Sequence, residues 1–253
     1  MVQPKKHLGQ HFLTDKNIAR KITELISDES LPLLEIGPGT GVLTQFLAPR
    51  FQSNLHLVEI DSESVAFLKE KFPTLVANIH HCDFLETNLL DICPSPFRVV
   101  GNFPYNISSP ILFKIIENRE SIPMVVGMFQ KEVAERIAAK PNNKQYGILS
   151  VWTQLFYKVN YCFTVPEHLF FPPPTVKSGV ITLTRIHRDL NNLPPEFILQ
   201  VIKTAFNQRR KTLRNSLKSI NVKEIDLPEF SKRPEQLCVE DFIQLAEKLY
   251  NRE

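Results

Sequence analysis

Apolar residues along the chain alternate between short runs of strand length and segments with helical spacing. This order predicts a parallel sheet with helices packed on its faces, since strands buried on both sides are apolar throughout. The predicted strands are residues 31–36, 55–61, 79–82, a fourth run ending in Val99-Val100, and 123–129. We therefore predict an α/β fold with a Rossmann-like sheet.

The helices of this pattern are amphipathic. Thr14 is positioned to cap the first of them, whose apolar stripe includes Ile18 and Ile22. Residues 131–140 and 146–156 are predicted to form two more helices. The segments 157–165 and 176–186 alternate like strands, so we expect an antiparallel pair to close the sheet.

A proline-rich segment, residues 165–174, joins these two final strands. Its three consecutive prolines predict a stiff, extended loop that presents Phe170 and Phe171. Two roles remain open for these phenylalanines. They clamp a planar base, or they plug the edge of the sheet.

Beyond a polar, proline-ended linker at 186–196, the chain becomes helical. We predict two domains, residues 1–186 and 187–253, the second small and all-helical. An apolar stripe from Leu199 to Ile220 predicts one helix with a basic face beside it, and residues 203–223 contain no acidic side chain. A surface that carries only positively charged side chains indicates phosphate binding. The predicted nucleic-acid-binding residues are Lys203, Arg209, Arg210, Lys211, Arg214 and Lys218.

Composition adds little to this prediction. The net charge of the 253-residue chain is +3, and its four cysteines form no C-x-x-C pair, so we expect reduced thiols. No signal peptide or long apolar run is present, which favours a cytoplasmic protein. We predict no metal site. Gly9 disfavours a helix between His7 and His11, and consecutive strand residues at 80–83 point to opposite faces.

A glycine-rich turn, E-I-G-P-G-T-G at residues 35–41, follows the first predicted strand. Gly37 and Gly39 permit a close approach to the backbone, and no Lys or Arg stands nearby for a pyrophosphate. The turn therefore favours a nucleoside cofactor without phosphates, of which S-adenosylmethionine is the common one. Glu59 ends the next strand about 20 residues later, the spacing at which a carboxylate reaches ribose hydroxyls.

Two more acids follow these strands. Asp61 is an alternative N-cap of the next helix. Asp83 falls after the third strand, where we expect it to accept a hydrogen bond from the amine of the cofactor's adenine. Residues 5–13 are basic and precede the first helix, so we expect a lip beside the ligand site, with an ordinary surface tail as the alternative.

The tetrapeptide Asn102-Phe103-Pro104-Tyr105 follows the fourth strand through Gly101. It suits methylation of an exocyclic amine on a base, because the Asn102 carbonyl and a backbone carbonyl, that of Phe103, can accept both amine protons. Pro104 fixes the backbone, and Tyr105 would stack on the base. A strand-to-helix turn capped by Asn102 is the alternative.

Taken together, these segments resemble the small-subunit ribosomal RNA adenine dimethyltransferase family over nearly the whole chain. The matching segments are L-G-Q-H-F-L at 8–13, E-I-G-P-G-T-G at 35–41, G-N-F-P-Y-N-I-S at 101–108, Q-K-E-V at 130–133, F-F-P-P-P at 170–174 with Val176 and Ser178, and F-N-Q-R-R-K-T-L-R-N-S-L at 206–217. The resemblance implies a class I S-adenosylmethionine-dependent methyltransferase sheet with an antiparallel last strand and a small helical domain.

The resemblance also implies a reaction. S-adenosylmethionine donates two methyl groups to N6 of each of two adjacent adenosines in the 3′-terminal hairpin loop of small-subunit rRNA. We expect a monomer acting on small-subunit precursors. The implied cofactor contacts are His11, Leu13, Gly37, Glu59, Asp83 and Asn102, while Tyr105 and Phe170 would sandwich the adenine.

Three positions depart from the common family pattern. His11 stands where many members have Asn, Phe103 where many have Leu, and Phe171 where a small polar residue is frequent. Which phenylalanine stacks on the base therefore stays open. Two other functions also remain. One is methylation of a single large-subunit rRNA adenine, as in antibiotic-resistance enzymes. The other is a nucleic-acid-binding assembly or transcription factor with secondary methyltransferase activity.

Overall fold

The computed structural model describes residues 2–27, 29–218 and 228–250. The chain divides into two compact units, one of residues 1–134 and 160–185 and one of residues 135–159 and 186–253. The strands are β1 (Phe12–Leu13), β2 (Leu33–Ile36), β3 (Leu55–Glu59), β4 (Ile79–His81), β5 (Arg98–Asn102), β6 (Met124–Gln130), β7 (Tyr157–Val165), β8 (Phe170–Phe171) and β9 (Ser178–Arg185).

The α-helices are α1 (Lys16–Glu24), α2 (Thr44–Phe51), α3 (Ser62–Lys71), α4 (Ser108–Glu117), α5 (Lys131–Ala138), α6 (Ile148–Phe156), α7 (Pro195–Asn207), α8 (Leu213–Ser216) and α9 (Val239–Tyr250). Among the described residues, no helix is both long and apolar enough to span a membrane.

A seven-stranded sheet with the order β4-β3-β2-β5-β6-β9-β7 organises the first unit. Strands β4, β3, β2, β5 and β6 run parallel, and β9 runs antiparallel to β6. This confirms the predicted α/β class and the antiparallel last strand. Every residue of the central strand β2 is buried, as expected of a parallel strand that is covered on both faces. Strand β2 lies between β3 and β5. Open α/β sheets bind ligands at the carboxyl ends of such central strands.

A two-stranded ladder lies beside the main sheet. Strands β1 and β8 are antiparallel, with Phe12 opposite Phe171 and Leu13 opposite Phe170. The segment that precedes α1 is therefore fixed to the proline-rich loop. We predicted that Thr14 caps α1, and this prediction is wrong. The Thr14 Oγ1 donates to the Leu169 carbonyl at 2.9 Å, and the Asp15 carboxylate caps the helix through the Ile18 N–H.

The second unit packs its helices around buried aromatic rings. The Tyr146 ring centroid is 6.3 Å from that of Phe206, which is 5.8 Å from that of Phe242. Residues 135–159, which we expected in the first domain, belong to this unit because Tyr146 is fully buried among these helices. The change of unit at residue 186 coincides with the predicted linker.

The predicted basic helix is broken in the structure. Helix α7 ends at Asn207, and the four-residue α8 begins after Thr212. The intervening run, Q-R-R-K-T, contains no apolar side chain to bury and three adjacent cations that repel one another as neighbours. Lys203, Arg210, Arg214 and Lys218 therefore do not share one helical face, and Ile220 lies outside the described residues.

Candidate active site

A cavity of about 250 Å³ opens in the first unit at the carboxyl ends of β2, β3 and β5. The structure brings most of the predicted site residues together around it. His11, Gly37, Gly39, Glu59 and Asp83 line it, as does the whole tetrapeptide from Asn102 to Tyr105.

The glycine-rich turn presents bare backbone to this cavity. Gly37 has φ +64°, and a Cβ added to it would meet no atom within 4 Å. Gly39 also has positive φ, +54°, but the Phe12 ring occupies the space beside it, 2.8 Å from where a Cβ would lie. The space beside Gly37 is therefore the part of the turn that is open to a ligand. A nucleoside cofactor can lie directly against the main chain at this residue.

Glu59 is a buried carboxylate held by backbone donors. Its Oε2 accepts from the Gly39 N–H at 3.0 Å, and its Oε1 accepts from the Asp61 N–H at 2.9 Å. Burial raises the pKa of Glu59, and the backbone hydrogen bonds oppose that shift. Each carboxylate oxygen can accept more than one hydrogen bond. The group is therefore fixed in place and still able to accept from vicinal hydroxyls.

The N-terminal segment is tied to the same strand end. Lys5 pairs with the buried Asp61 carboxylate and lies 3.3 Å from Glu63. Although burial favours the neutral acid, the hydrogen bonds from Lys5 and Ser64 lower the pKa of Asp61. Asp61 also caps α3. Sequence reasoning found the basic segment and the cap but missed the ion pair that joins them.

Asp83 lines the cavity just after β4. Its Oδ1 accepts from the Leu85 N–H at 2.7 Å, which fixes the carboxylate at the end of this strand. His80 and Cys82 come from the same stretch. No group of three or more metal-ligating side chains occurs among residues 2–27, 29–218 and 228–250.

Phe103 anchors the tetrapeptide through its buried ring. Gly101 on β5 is opposite Gly127 on β6. A Cβ added to Gly101 would lie 2.5 Å from a Phe103 ring atom, and a Cβ added to Gly127 would lie 2.7 Å from another. The ring meets Phe129 edge to face, with centroids 4.9 Å apart. Because neither glycine has a side chain, the pair leaves room for the Phe103 ring, which is larger than the Leu that many family members have at this position. Because the side chain is committed to the core, only the Phe103 backbone carbonyl is available for a ligand.

The Asn102 side chain is oriented by a main-chain acceptor. Its Nδ2 donates to the carbonyl oxygen of His11 at 2.9 Å. Because a carbonyl can only accept, this contact determines which end of the amide is nitrogen. The Oδ1 atom is thereby left as the acceptor that Asn102 offers at the cavity.

Tyr105 is held at both its ring and its hydroxyl. Its hydroxyl is 2.6 Å from Ser178 Oγ, and its ring centroid is 5.5 Å from that of His11. Burial raises the pKa of Tyr105, so it stays neutral at physiological pH. The matching segments included Ser178, but no sequence pattern indicated that it would contact Tyr105, 73 residues away.

Two predicted residues do not line the cavity. Leu13 and Phe170 are opposite each other in the β1–β8 ladder, and both are in the hydrophobic core, 2% and 3% exposed. Their neighbours Phe12 and Phe171 point to the other face of the ladder, since successive strand residues alternate. Phe12 lines the cavity, whereas Phe171 is 58% exposed.

The predicted basic residues lie in the second unit. Arg210, Lys211 and Lys218 are exposed. Arg209 is half-buried, and its Nη2 donates to the Asn143 carbonyl at 3.2 Å. Arg209 therefore braces the 141–144 loop, which carries the exposed Lys144.

A nucleoside-sized cavity at the switch point of a Rossmann-like sheet, with an oriented asparagine at its wall, defines a methyltransferase of the class I type. The chain matches the family model described as ribosomal RNA adenine dimethylase over residues 1–247. It is 54% identical over 252 residues to a protein of Cytophaga hutchinsonii called ribosomal RNA small subunit methyltransferase A, covering 98% of both chains. The chain belongs to the ribosomal RNA adenine dimethylase family.

Solved structures agree with this membership. A dimethyladenosine transferase from Plasmodium falciparum is similar with a TM-score of 0.83 and 27% identity, over 96% of this chain and 98% of that one. A 23S rRNA methyltransferase is similar with a TM-score of 0.68 and 26% identity, over 93% and 99%.

Proposed function

We propose that the chain transfers methyl groups from S-adenosylmethionine to N6 of two adjacent adenosines in the 3′-terminal hairpin loop of small-subunit rRNA. The products are N6,N6-dimethyladenosines, and the substrate is the assembling small subunit. The orientation of Asn102 carries this proposal, because it sets a side-chain acceptor at the cavity wall beside the Phe103 and Pro104 backbone.

The residues around the cavity are suited to hold the donor. Gly37 gives it room against the backbone, and the Glu59 carboxylate accepts from ribose hydroxyls. Asp83 accepts from the adenine amine, and His11 closes the cavity from the N-terminal side. When bound, S-adenosylmethionine would supply an electrophilic methyl group on a sulfonium and leave as S-adenosylhomocysteine, and the methylated N6 would release its proton to water. The protein itself therefore needs no nucleophile and no strong base.

Asn102 prepares the adenine amine for attack. The amine lone pair is delocalised into the base, which makes N6 a weak nucleophile. The N6 amine donates one N–H to Asn102 Oδ1 and the other to the Phe103 carbonyl. These two hydrogen bonds favour a pyramidal nitrogen whose lone pair is free to attack the methyl group. Tyr105, fixed by Ser178, stacks on the base and keeps N6 in reach. Positioning of this kind contributes the greater part of the rate.

The target adenosine must leave its stack to enter the cavity, which is easiest in a single-stranded loop. We propose that the basic residues of the second unit hold the surrounding RNA by its phosphates. Arg209 supports this surface because it holds the 141–144 loop, which carries Lys144, through its hydrogen bond to the Asn143 carbonyl. Contacts of this type position an RNA without reading its sequence.

The comparisons favour the small-subunit reaction over its large-subunit alternative. The relative at 54% identity is named for the small subunit, whereas the 23S rRNA methyltransferase is only 26% identical. A purely structural assembly factor would not need the open backbone at Gly37 or the oriented Asn102.

The test is methyl transfer to small subunits that lack the modification. Purified protein is incubated separately with these subunits and with unmodified large-subunit RNA, each with labelled S-adenosylmethionine, and the labelled nucleotides are mapped. We expect two adjacent dimethyladenosines in the 3′-terminal hairpin loop. Label confined to large-subunit RNA, or no label with an intact protein, would overturn the proposal.

A further inference from the structure

Phe171 is the most exposed aromatic side chain in the described part of the chain, at 58%. Single exposed apolar residues are common on protein surfaces, so the role of this ring has to be argued from its surroundings. Its neighbour Phe170 is 3% exposed, so the two rings have separate surroundings.

The register of the β1–β8 ladder places Phe171 at the rim of the cavity. Phe171 is directly opposite Phe12, and opposed residues of an antiparallel pair have their side chains on the same face. Phe12 lines the cavity and packs on Gly39. The exposed ring therefore stands beside the wall of the catalytic cavity without being part of it.

His11 connects the loop of Phe171 to the site of the target base. Its ring centroid lies 5.5 Å from that of Tyr105, and its Nδ1 is 2.8 Å from the carbonyl of Pro172, the residue after Phe171. Phe171 is therefore one residue away along the chain from a contact with the base site, yet it does not line the cavity itself. A base that stacks on Phe171 is for this reason a neighbour of the target base and not the target.

The chemistry around Phe171 favours RNA. Residues 170–178 contain no acidic side chain, and Lys177 is exposed within them. Single-stranded nucleic acids are bound by aromatic rings that stack successive bases beside cations that meet the backbone. The same segment reaches the proposed adenosine site through the buried Ser178, whose Oγ contacts the Tyr105 hydroxyl.

We infer that Phe171 is a second base-stacking subsite, which holds the adenosine next to the one being methylated. The inference rests on the proposed function, in which two adjacent adenosines are substrates. While one adenine occupies the cavity, the adjacent adenine stacks on Phe171. The second adenosine is thereby held near the cavity until it is methylated in turn.

The experiment compares wild type with Phe171→Ala, Phe171→Trp and the control Val176→Ala, another exposed apolar residue of the same segment. Methyl transfer is measured on small subunits that lack the modification. Binding is measured with the isolated hairpin RNA, intact or with an abasic site next to the target adenosine. The affinity for S-adenosylhomocysteine and the melting temperature are measured for every variant.

We expect Phe171→Ala to lower kcat/KM and hairpin affinity by about 5- to 150-fold, the range that stacking one base on an aromatic spans. Tryptophan should restore both, and Val176→Ala should resemble wild type. The loss should vanish on the abasic hairpin, where no base is left to stack, while S-adenosylhomocysteine affinity is unchanged.

Wild-type activity in Phe171→Ala, an equal loss on the abasic hairpin, or a loss of S-adenosylhomocysteine binding would each overturn the subsite. An inactive wild-type protein would instead refute the proposed function, so the two failures are distinguishable.

Discussion

Replacing Gly37 with alanine tests whether the open space beside the glycine-rich turn is where the donor binds. Gly37 has φ +64°, so alanine there costs about 1–2 kcal/mol of backbone strain. No atom lies within 4 Å of the added Cβ, so no packing penalty is added. For a domain of this size the melting temperature should fall by about 2–8 °C.

The effect on the donor should be larger. The new methyl group enters the space that the ligand occupies, and overpacking of this kind costs roughly 1–3 kcal/mol. That penalty corresponds to about 5- to 150-fold weaker binding of S-adenosylmethionine and S-adenosylhomocysteine. Isothermal titration calorimetry measures both affinities, and thermal unfolding without ligand measures the strain.

Gly41→Ala is the matched control. Gly41 has a similar φ, +73°, but a Cβ there would lie 2.5 Å from Phe72 Cε2 and 3.1 Å from Leu68 Cδ2. We expect this variant to lose more stability than Gly37→Ala, by roughly a further 1–3 kcal/mol. Its donor affinity should be retained below its melting temperature, since Gly41 does not line the cavity. A Gly37→Ala protein that binds the donor like wild type would refute the placement of the donor.

Three further predictions follow from the site and the basic surface. Asn102→Ala should lower kcat by about 10²–10³-fold with hairpin affinity unchanged, and near wild-type turnover would refute its role. Burial raises the pKa of Glu35 from 4.5 to about 8, so the fold favours the neutral acid, and the unfolding free energy should fall as pH rises through this range. Glu35→Gln should remove that decline in denaturant titrations at pH 5 to 8, and an unchanged decline would contradict the cause. Replacing Arg210 and Arg214 with alanine should reduce the salt slope of RNA binding by about 0.7 to 0.9 per lost phosphate contact, whereas an unchanged slope would exclude them from the RNA surface.

The sheet was predictable because parallel strands have a strong apolar signal. Every predicted strand has its counterpart, and Glu59 and Asp83 are at strand ends as their spacing indicated. Strand ends converge at one edge of a parallel sheet, so short motifs far apart in sequence could be placed together without coordinates.

Contacts that depend on tertiary packing were not predictable. The register of the two-residue strands β1 and β8 decides that Phe170 is buried and Phe171 exposed, and no local pattern in F-F-P-P-P encodes that register. The slot for Phe103 requires Gly127 from a different strand. The basic run after Asn207 has helical spacing, but too few apolar residues to keep the helix continuous.

A crystal structure of the protein with S-adenosylhomocysteine and the hairpin RNA would show whether Asn102 holds the target amine. We expect a flipped adenine whose N6 is about 3 Å from Asn102 Oδ1, with the sulfur of the bound product facing N6. An adenine bound elsewhere, or an Asn102 amide turned away from N6, would contradict this expectation.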